Sequence, residues 1–381
     1  KLADFDSTLT TQQFTYVYNY TINRMLQNDT NDVALLNKWI AKDSNDSFRE
    51  SLLAAKSLKQ YYGLNEKRSA LLNMHELYNN SPNSTYLPTL LAQWHVENQQ
   101  FDIASKYYFE AMNSGNLKVQ VAYVLSLLES QQWSKAEDFL TAWKASPEKD
   151  KLIIVDLANK IKAANVTSIL KENDLIKLRY IRWNYKNESI ENRFTVATSI
   201  QNKDMKDEAA LSLMHEALQN NNYTLAENCY NLVSKTTNEQ LSPWADQLYT
   251  ELLIGAQDWS TLKQNQQPSK YVNAILAVIQ KDSSKAAKQF IVALSEEPLN
   301  DKLAARAIYF LGERDFMNYY EIIVAQLLAF PESTRLSEAF MTLCIKNQMY
   351  TYAQGELERI EPYMNAERYA YWKKTIAPHL L

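Results

Sequence analysis

Apolar residues recur along the chain at helical spacing in short stretches, and the stretches come in twos with a brief polar break between them. Thr85 to Asn116 sets Leu91, Ala92 and Val96 on one helical face and breaks at Asn98-Gln99-Gln100. It resumes at Phe101 with Ala104, Tyr108 and Ala111. The next segment repeats the form, with Gln131-Gln132-Trp133 as the break and Ala136, Leu140 and Trp143 following before Pro147. The same unit is read around Ala70, Met74, Leu77 and Pro82, and again around Tyr223, Ala226, Tyr230 and Val233. Toward the C-terminus it recurs three times: Ala286, Phe290, Ala293 and Pro298; Phe316, Tyr320, Ile323 and Pro331; Tyr350, Ala353, Leu357, Ile360 and Pro362. Two shorter helical patterns, Gln12 to Leu26 and Asp32 to Ala41, lie in a Thr-, Asn- and Asp-rich N-terminal stretch.

The period fixes the architecture these patterns predict. Ala70, Ala104 and Ala136 are 34 and 32 residues apart, and Ala286, Tyr320 and Ala353 are 34 and 33 apart, the repeat length of a helix-turn-helix array. A helix pair of this size cannot bury its apolar faces alone. Ala at the crossing points lets neighbours approach closely, so stability is shared along the array. The pattern resembles the tetratricopeptide repeat family, with Ala274, Ala286, Phe290, Ala293 and Pro298 matching most of its positions in one unit. The family's Gly in the first helix is absent, Tyr320 and Met341 replace small residues, and residues 149–204 and 240–268 do not register. The resemblance implies an all-α fold: a right-handed superhelical solenoid of antiparallel helix pairs, about 9–11 hairpins in all. Residues 1–45 read as an irregular helical extension, 46–365 as the array, and 366–381 as a capping helix and tail. In that last helix Tyr369, Trp372 and Ile376 share one face, with Lys373 and Lys374 outside. The expected product is an elongated, curved monomer or weak dimer.

Composition sharpens this picture. Only 5 of 381 residues are Gly and 9 are Pro, too few for a β-rich fold with many turns. The 40 Lys and Arg against 44 Asp and Glu leave a net charge of -4, so no global field attracts nucleic acid. Cys229 and Cys344 fall within apolar helical patterns and read as small buried hydrophobes rather than a disulfide. The longest apolar run, Ile322 to Phe330, is far short of a membrane span and is bounded by Glu321 and Glu332. Lys1-Leu2-Ala3-Asp4 reads as the start of a trimmed or mature chain. Seven Asn-x-Ser/Thr sequons occur at Asn19, Asn28, Asn45, Asn83, Asn165, Asn187 and Asn222, with an eighth at Asn79 weakened by the following Pro82. Their number follows from the Asn, Ser and Thr content, and the composition leans toward a bacterial extracytoplasmic (periplasmic) setting.

Motifs that carry chemistry are scarce. The five glycines stand singly, which leaves no phosphate-binding or dinucleotide loop. His75-Glu76 and His215-Glu216 begin like a zinc-protease helix, but Asn79 and Gln219 stand where the second His belongs. There is no Gly-x-Ser-x-Gly elbow, and the carboxylates form no diagnostic dyad. Neither an enzymatic activity nor a cofactor or metal is expected. The densest unusual feature runs from Lys177 to Lys186, where Arg179, Tyr180, Arg182, Trp183 and Tyr185 interleave cations with aromatics. Such a run suits sugar stacking or an acidic partner segment. Alternatively Leu178, Ile181 and Tyr185 form a buried stripe, with Arg179, Arg182 and Lys186 solvated.

Three functions follow as expectations. The leading one is a non-enzymatic scaffold whose concave groove holds a peptide or protein partner during assembly or export. The family's arrangement places Tyr86, Thr89, Gln93, Lys118, His215, Tyr271, Arg335 and Glu338 on the groove side of first helices, with Arg179 and Arg182 as further contacts. The second is an extracytoplasmic module of a bacterial polysaccharide secretion or cell-wall machine. The third is the helical support of a cell-wall enzyme whose catalytic part lies elsewhere.

Overall fold

The computed structural model describes residues 11–43, 48–81, 83–183, 188–234, 241–264, 269–297, 300–330, 333–364 and 366–380. Pro82, Pro298, Pro331, Tyr185, Lys186, Asn45 and Asn187, all singled out above, lie outside them. The described residues are all-helical, with no strand, and the helices pack in neighbouring pairs.

The chain divides into two compact units, one of residues 88–268 and one that joins 1–87 to 269–381. The second of these opens with α1 (Thr11–Asn23), α2 (Asn31–Lys42), α3 (Arg49–Leu58) and α4 (Lys67–Asn80). Val17, Leu36, Trp39, Leu52 and Ala55 close a small core among the first three, with Phe14 stacked on Phe48 against it. A π-helical turn, Lys59–Gly63, links α3 to α4. A side chain at Gly63 has no room there, since its Cβ would fall 2.4 Å from the Met25 carbonyl oxygen.

The 88–268 unit holds most of α5 (Tyr86–Glu97), then α6 (Phe101–Ala111), α7 (Leu117–Glu129), α8 (Trp133–Trp143), α9 (Lys149–Ala163) and the short α10 (Val166–Ile169). It continues through α11 (Asp174–Trp183), α12 (Ile190–Thr198), α13 (Lys203–Gln219), α14 (Tyr223–Leu232), α15 (Ser242–Gly255) and α16 (Trp259–Gln264). The C-terminal part of the other unit comprises α17 (Lys270–Ile279), α18 (Ser283–Glu296), α19 (Asp301–Asp315), α20 (Tyr320–Ala329), α21 (Thr334–Lys346), α22 (Tyr350–Ile360) and α23 (Ala366–Ile376). Within this unit α4 packs on α18 and α20, far away in sequence, so its contacts are not confined to nearest neighbours.

Six pairs, α5/α6, α7/α8, α13/α14, α15/α16, α17/α18 and α21/α22, share one turn among the described residues. Each first helix ends in a residue of left-handed backbone, Gln99, Gln131, Asn221, Gln257, Lys281 and Gln348, with φ between 55° and 61°. The next N–H returns to the carbonyl five residues back, as in Gln100 to His95 at 2.9 Å and Asp282 to Ala277 at 2.9 Å. This is the double closure of a Schellman motif, which satisfies carbonyls the helix end would leave open. The second helix then starts two residues later. Its fourth residue is always buried: Ala104, Ala136, Ala226, Ala286 and Ala353 at 0% exposure, and Leu262 at 2%. A small residue there lets the two helices cross at close range. The α15/α16 pair did not register in the sequence because Leu262 takes the Ala position. In α20 the equivalent fourth residue is Ile323, fully buried, and Tyr320 is the first residue of the helix rather than the crossing position.

Left-handed backbone costs an L-residue about 1–2 kcal/mol, and Gly avoids that cost while giving up entropy in the unfolded chain. Lys281 is exposed and occupies such a position. Lys281→Gly should therefore raise stability by up to about 1 kcal/mol, read as a higher urea midpoint. A lower midpoint would mean that the turn is not left-handed.

The cysteines behave as expected from their setting. Cys229 and Cys344 are both buried and unbridged, and burial pushes each thiol up to about 12. No helix of the described residues is long and apolar enough to cross a membrane.

Candidate functional site

The 88–268 unit contains a polar cleft of about 290 Å³ built around α11. This helix packs against α7, α9, α12 and α13, so its charged residues meet acids that are distant in sequence. Arg179 and Arg182 lie one turn apart and both reach Glu129, at the end of α7, whose side chain is only 4% exposed. Arg182 Nε sits 2.6 Å from Glu129 Oε2. The same guanidinium donates to Glu208 of α13 and, at 3.0 Å, to the Gln99 side-chain oxygen, and it lies 4.8 Å from the centre of the Phe101 ring. In α12, Arg193 grips both carboxylate oxygens of Glu216, at 2.8 and 2.5 Å, and also donates to the Ile181 carbonyl at 3.1 Å. Two-pronged Arg–carboxylate pairs of this kind fix geometry as well as charge.

The two left-handed turns feed the site directly. Gln99 supplies the acceptor for Arg182, and Gln131 donates to the Arg182 carbonyl at 3.1 Å, while Trp133 donates to the Trp183 carbonyl at 2.5 Å. These carbonyls end α11, where no intrahelical donor remains. The rim carries His215 and Gln219, whose side chains meet at 2.9 Å, together with the half-buried Trp244 of α15.

The expected site residues fall as follows. Arg182 and His215 line the cleft, and Arg179 joins it through Glu129. Arg182 is buried rather than solvated, because Glu129 and Glu208 flank it. Tyr86, Thr89, Gln93, Lys118, Tyr271, Arg335 and Glu338 lie on first helices of their pairs and do not enter the cleft. Gln93, Lys118 and Arg335 are exposed, and Arg335 faces Asp301 at 3.7 Å. Tyr86 is partly open and shares a hydrogen bond with Tyr18. Tyr271 is 1% exposed, with its hydroxyl held by Arg306, so it offers no surface to a partner. Glu338 is engaged by Arg368 and Trp372 of α23. Glu129, Arg193 and Glu208 belong to the site and carried no signal in the sequence, and Glu216 stood out only in an incomplete zinc motif.

Beside the Gln99 turn, His95 is buried at the end of α5, its Nδ1 2.9 Å from the Gln100 side-chain oxygen and its ring stacked on Tyr107. Burial, only partly offset by Gln100 and Asp102 and reinforced by Lys106, pushes this imidazole from 6.5 down to about 4. The folded protein thus binds the proton later than the unfolded chain does. The contribution of this histidine to stability is full above pH 6.5 and is lost as pH drops from 6.5 toward 4, about 3 kcal/mol in all. The stretch from pH 6.5 to 5 precedes most carboxylate titration. The loss there should shrink in His95→Gln, measured by urea midpoints at each pH, whereas an unchanged slope would place the acid sensitivity elsewhere.

No group of three or more His, Cys, Asp or Glu able to hold a metal ion occurs among the described residues. No protein-family profile matches the chain, and no curated protein matches it.

Proposed function

We propose that this chain is a non-enzymatic scaffold or adaptor: a right-handed solenoid of tetratricopeptide type whose first-helix face holds a peptide or protein partner during assembly or export, in a bacterial extracytoplasmic setting. The observation that carries this reading is the shared turn with its buried crossing residue five positions on. Stacking uses the apolar stripe of each pair, which leaves the exposed polar positions of first helices, Gln93, Lys118 and Arg335 among them, available for recognition. Replacing these three by Ala should leave the fold intact. It should weaken binding of the native partner by about 1 kcal/mol or more at one of them at least, since few residues carry most interface energy. Unchanged affinity in all three variants, with loss on changing exposed second-helix residues, would overturn the reading.

A second reading, a module of a polysaccharide secretion or cell-wall machine, is favoured by one observation: the cleft at α11 is rich in amides and its arginines are matched by glutamates.

A further inference from the structure

The cleft's arginines are spent on glutamates, and the one other charged residue of its lining, Asp102, is exposed. Arg179 and Arg182 are held by Glu129, Arg182 also by Glu208, and Arg193 by Glu216. An anionic ligand would have to displace a carboxylate from a buried Arg, and a cation would have to displace the Arg or settle on the exposed Asp102, where water and salt screen the attraction. Displacing either partner of these pairs leaves a nearly covered charge unpaired, Glu129 at 4% or Arg193 at 2% exposure, which is strongly unfavourable. A neutral polar molecule leaves every ion pair intact.

Among neutral ligands, the apolar lining separates peptides from sugars. Peptide recognition is dominated by an aromatic or aliphatic anchor in a desolvated pocket, and this cleft opens none. Ile181 and Leu213 are each 1% exposed beneath the polar groups, and the Phe101 ring is faced by Arg182. What the cleft presents instead is a set of planar amides, Gln99, Gln131 and Gln219, with Ser130, Ser212 and the half-buried indole of Trp244. Each amide both donates and accepts, matching hydroxyls that do the same, and the indole offers a flat apolar face with a polar edge. A sugar ring combines those two demands, hydroxyls around its rim and a C–H face. The volume, about 290 Å³, stands at the lower end of small-molecule sites and suits a short stretch of chain.

We propose that this cleft binds a neutral oligosaccharide segment, held by the Gln99, Gln131 and Gln219 amides with Trp244 as the stacking platform and the Arg–Glu pairs as its rigid floor. This does not rest on the adaptor reading, because the exposed first-helix positions named there lie outside the cleft.

The test is calorimetric titration of the full chain with three neutral probes, cellohexaose, maltohexaose and chitohexaose, alongside an oligogalacturonate and an uncharged Gly/Ser/Asn peptide. At least one neutral oligosaccharide should bind below about 10 mM. Trp244→Ala should weaken it about tenfold or more, as loss of an aromatic anchor does. Gln219 is exposed, so Gln219→Ala tests the same site without threatening the fold, and it should weaken binding too. Lys288→Ala, at an exposed position of α18, should leave binding unchanged. The proposal is overturned if no neutral oligosaccharide binds. It is equally overturned if binding ignores both cleft substitutions, or if the oligogalacturonate or the peptide binds more tightly and is the ligand lost on those substitutions.

Discussion

Lys59→Met should destabilise the protein by about 3–5 kcal/mol, the cost of breaking a buried ion pair by removing one partner. The Lys59 side chain is 0% exposed and Asp32, 2.8 Å from its Nζ, is 3% exposed. The ammonium also donates to the Arg24 and Gln27 carbonyls at 2.7 and 2.5 Å. One cation thus ties the loop between α1 and α2 to the π-helical turn, against the close approach that Gly63 permits. Methionine matches the length of the stem but leaves two carbonyls dry and the carboxylate with Arg24 alone. The double variant Lys59→Met, Asp32→Leu should recover much of the loss, since replacing both members of a buried pair by apolar groups is often neutral. Urea unfolding of the three proteins checks this. A single-variant cost under about 1 kcal/mol would mean that water reaches the site.

Trp372→Ala should cost about 3–5 kcal/mol, the usual range for emptying a buried Trp site. The ring is 6% exposed on α23, beside the fully covered Ile376, and α23 packs on α22. Its indole N–H donates at 3.0 Å to Glu338 of α21, a carboxylate that Arg368 also grips. Removing the ring therefore opens a cavity and takes one donor from Glu338 together. Glu338→Gln keeps the packing and should cost much less. A thermal midpoint unchanged in Trp372→Ala would show that the last helix adds no stability to the pair beneath it.

The helix pairs were legible because stacking imposes a periodic apolar stripe and a small crossing residue, and Ala104, Ala136, Ala286 and Ala353 display both. The turns were located but their conformation was hidden. Gly normally marks a left-handed residue, whereas here Gln, Asn and Lys take that backbone and Gly115 is the one positive-φ Gly among the described residues. Packing of α4 on α18 and α20 is a tertiary fact that no local pattern encodes. The candidate site was half visible. The cation and aromatic run at Lys177 drew attention to Arg179 and Arg182, but an apolar stripe says nothing of acids brought in by other helices. Glu129 stands just before a polar break, where no local pattern marks it as the partner of Arg182. Glu216 appeared only as part of an incomplete zinc motif, although its role is to pair with Arg193.

The measurement that bears most directly on the scaffold reading is site-specific photo-crosslinking in the native cell. A photoreactive residue placed singly at Gln93, Lys118 and Arg335, and at the exposed second-helix positions Glu110 and Lys288, reports which face meets a partner. The account predicts a discrete protein adduct from at least one first-helix position and none from Glu110 or Lys288. Adducts confined to the second-helix positions would contradict it.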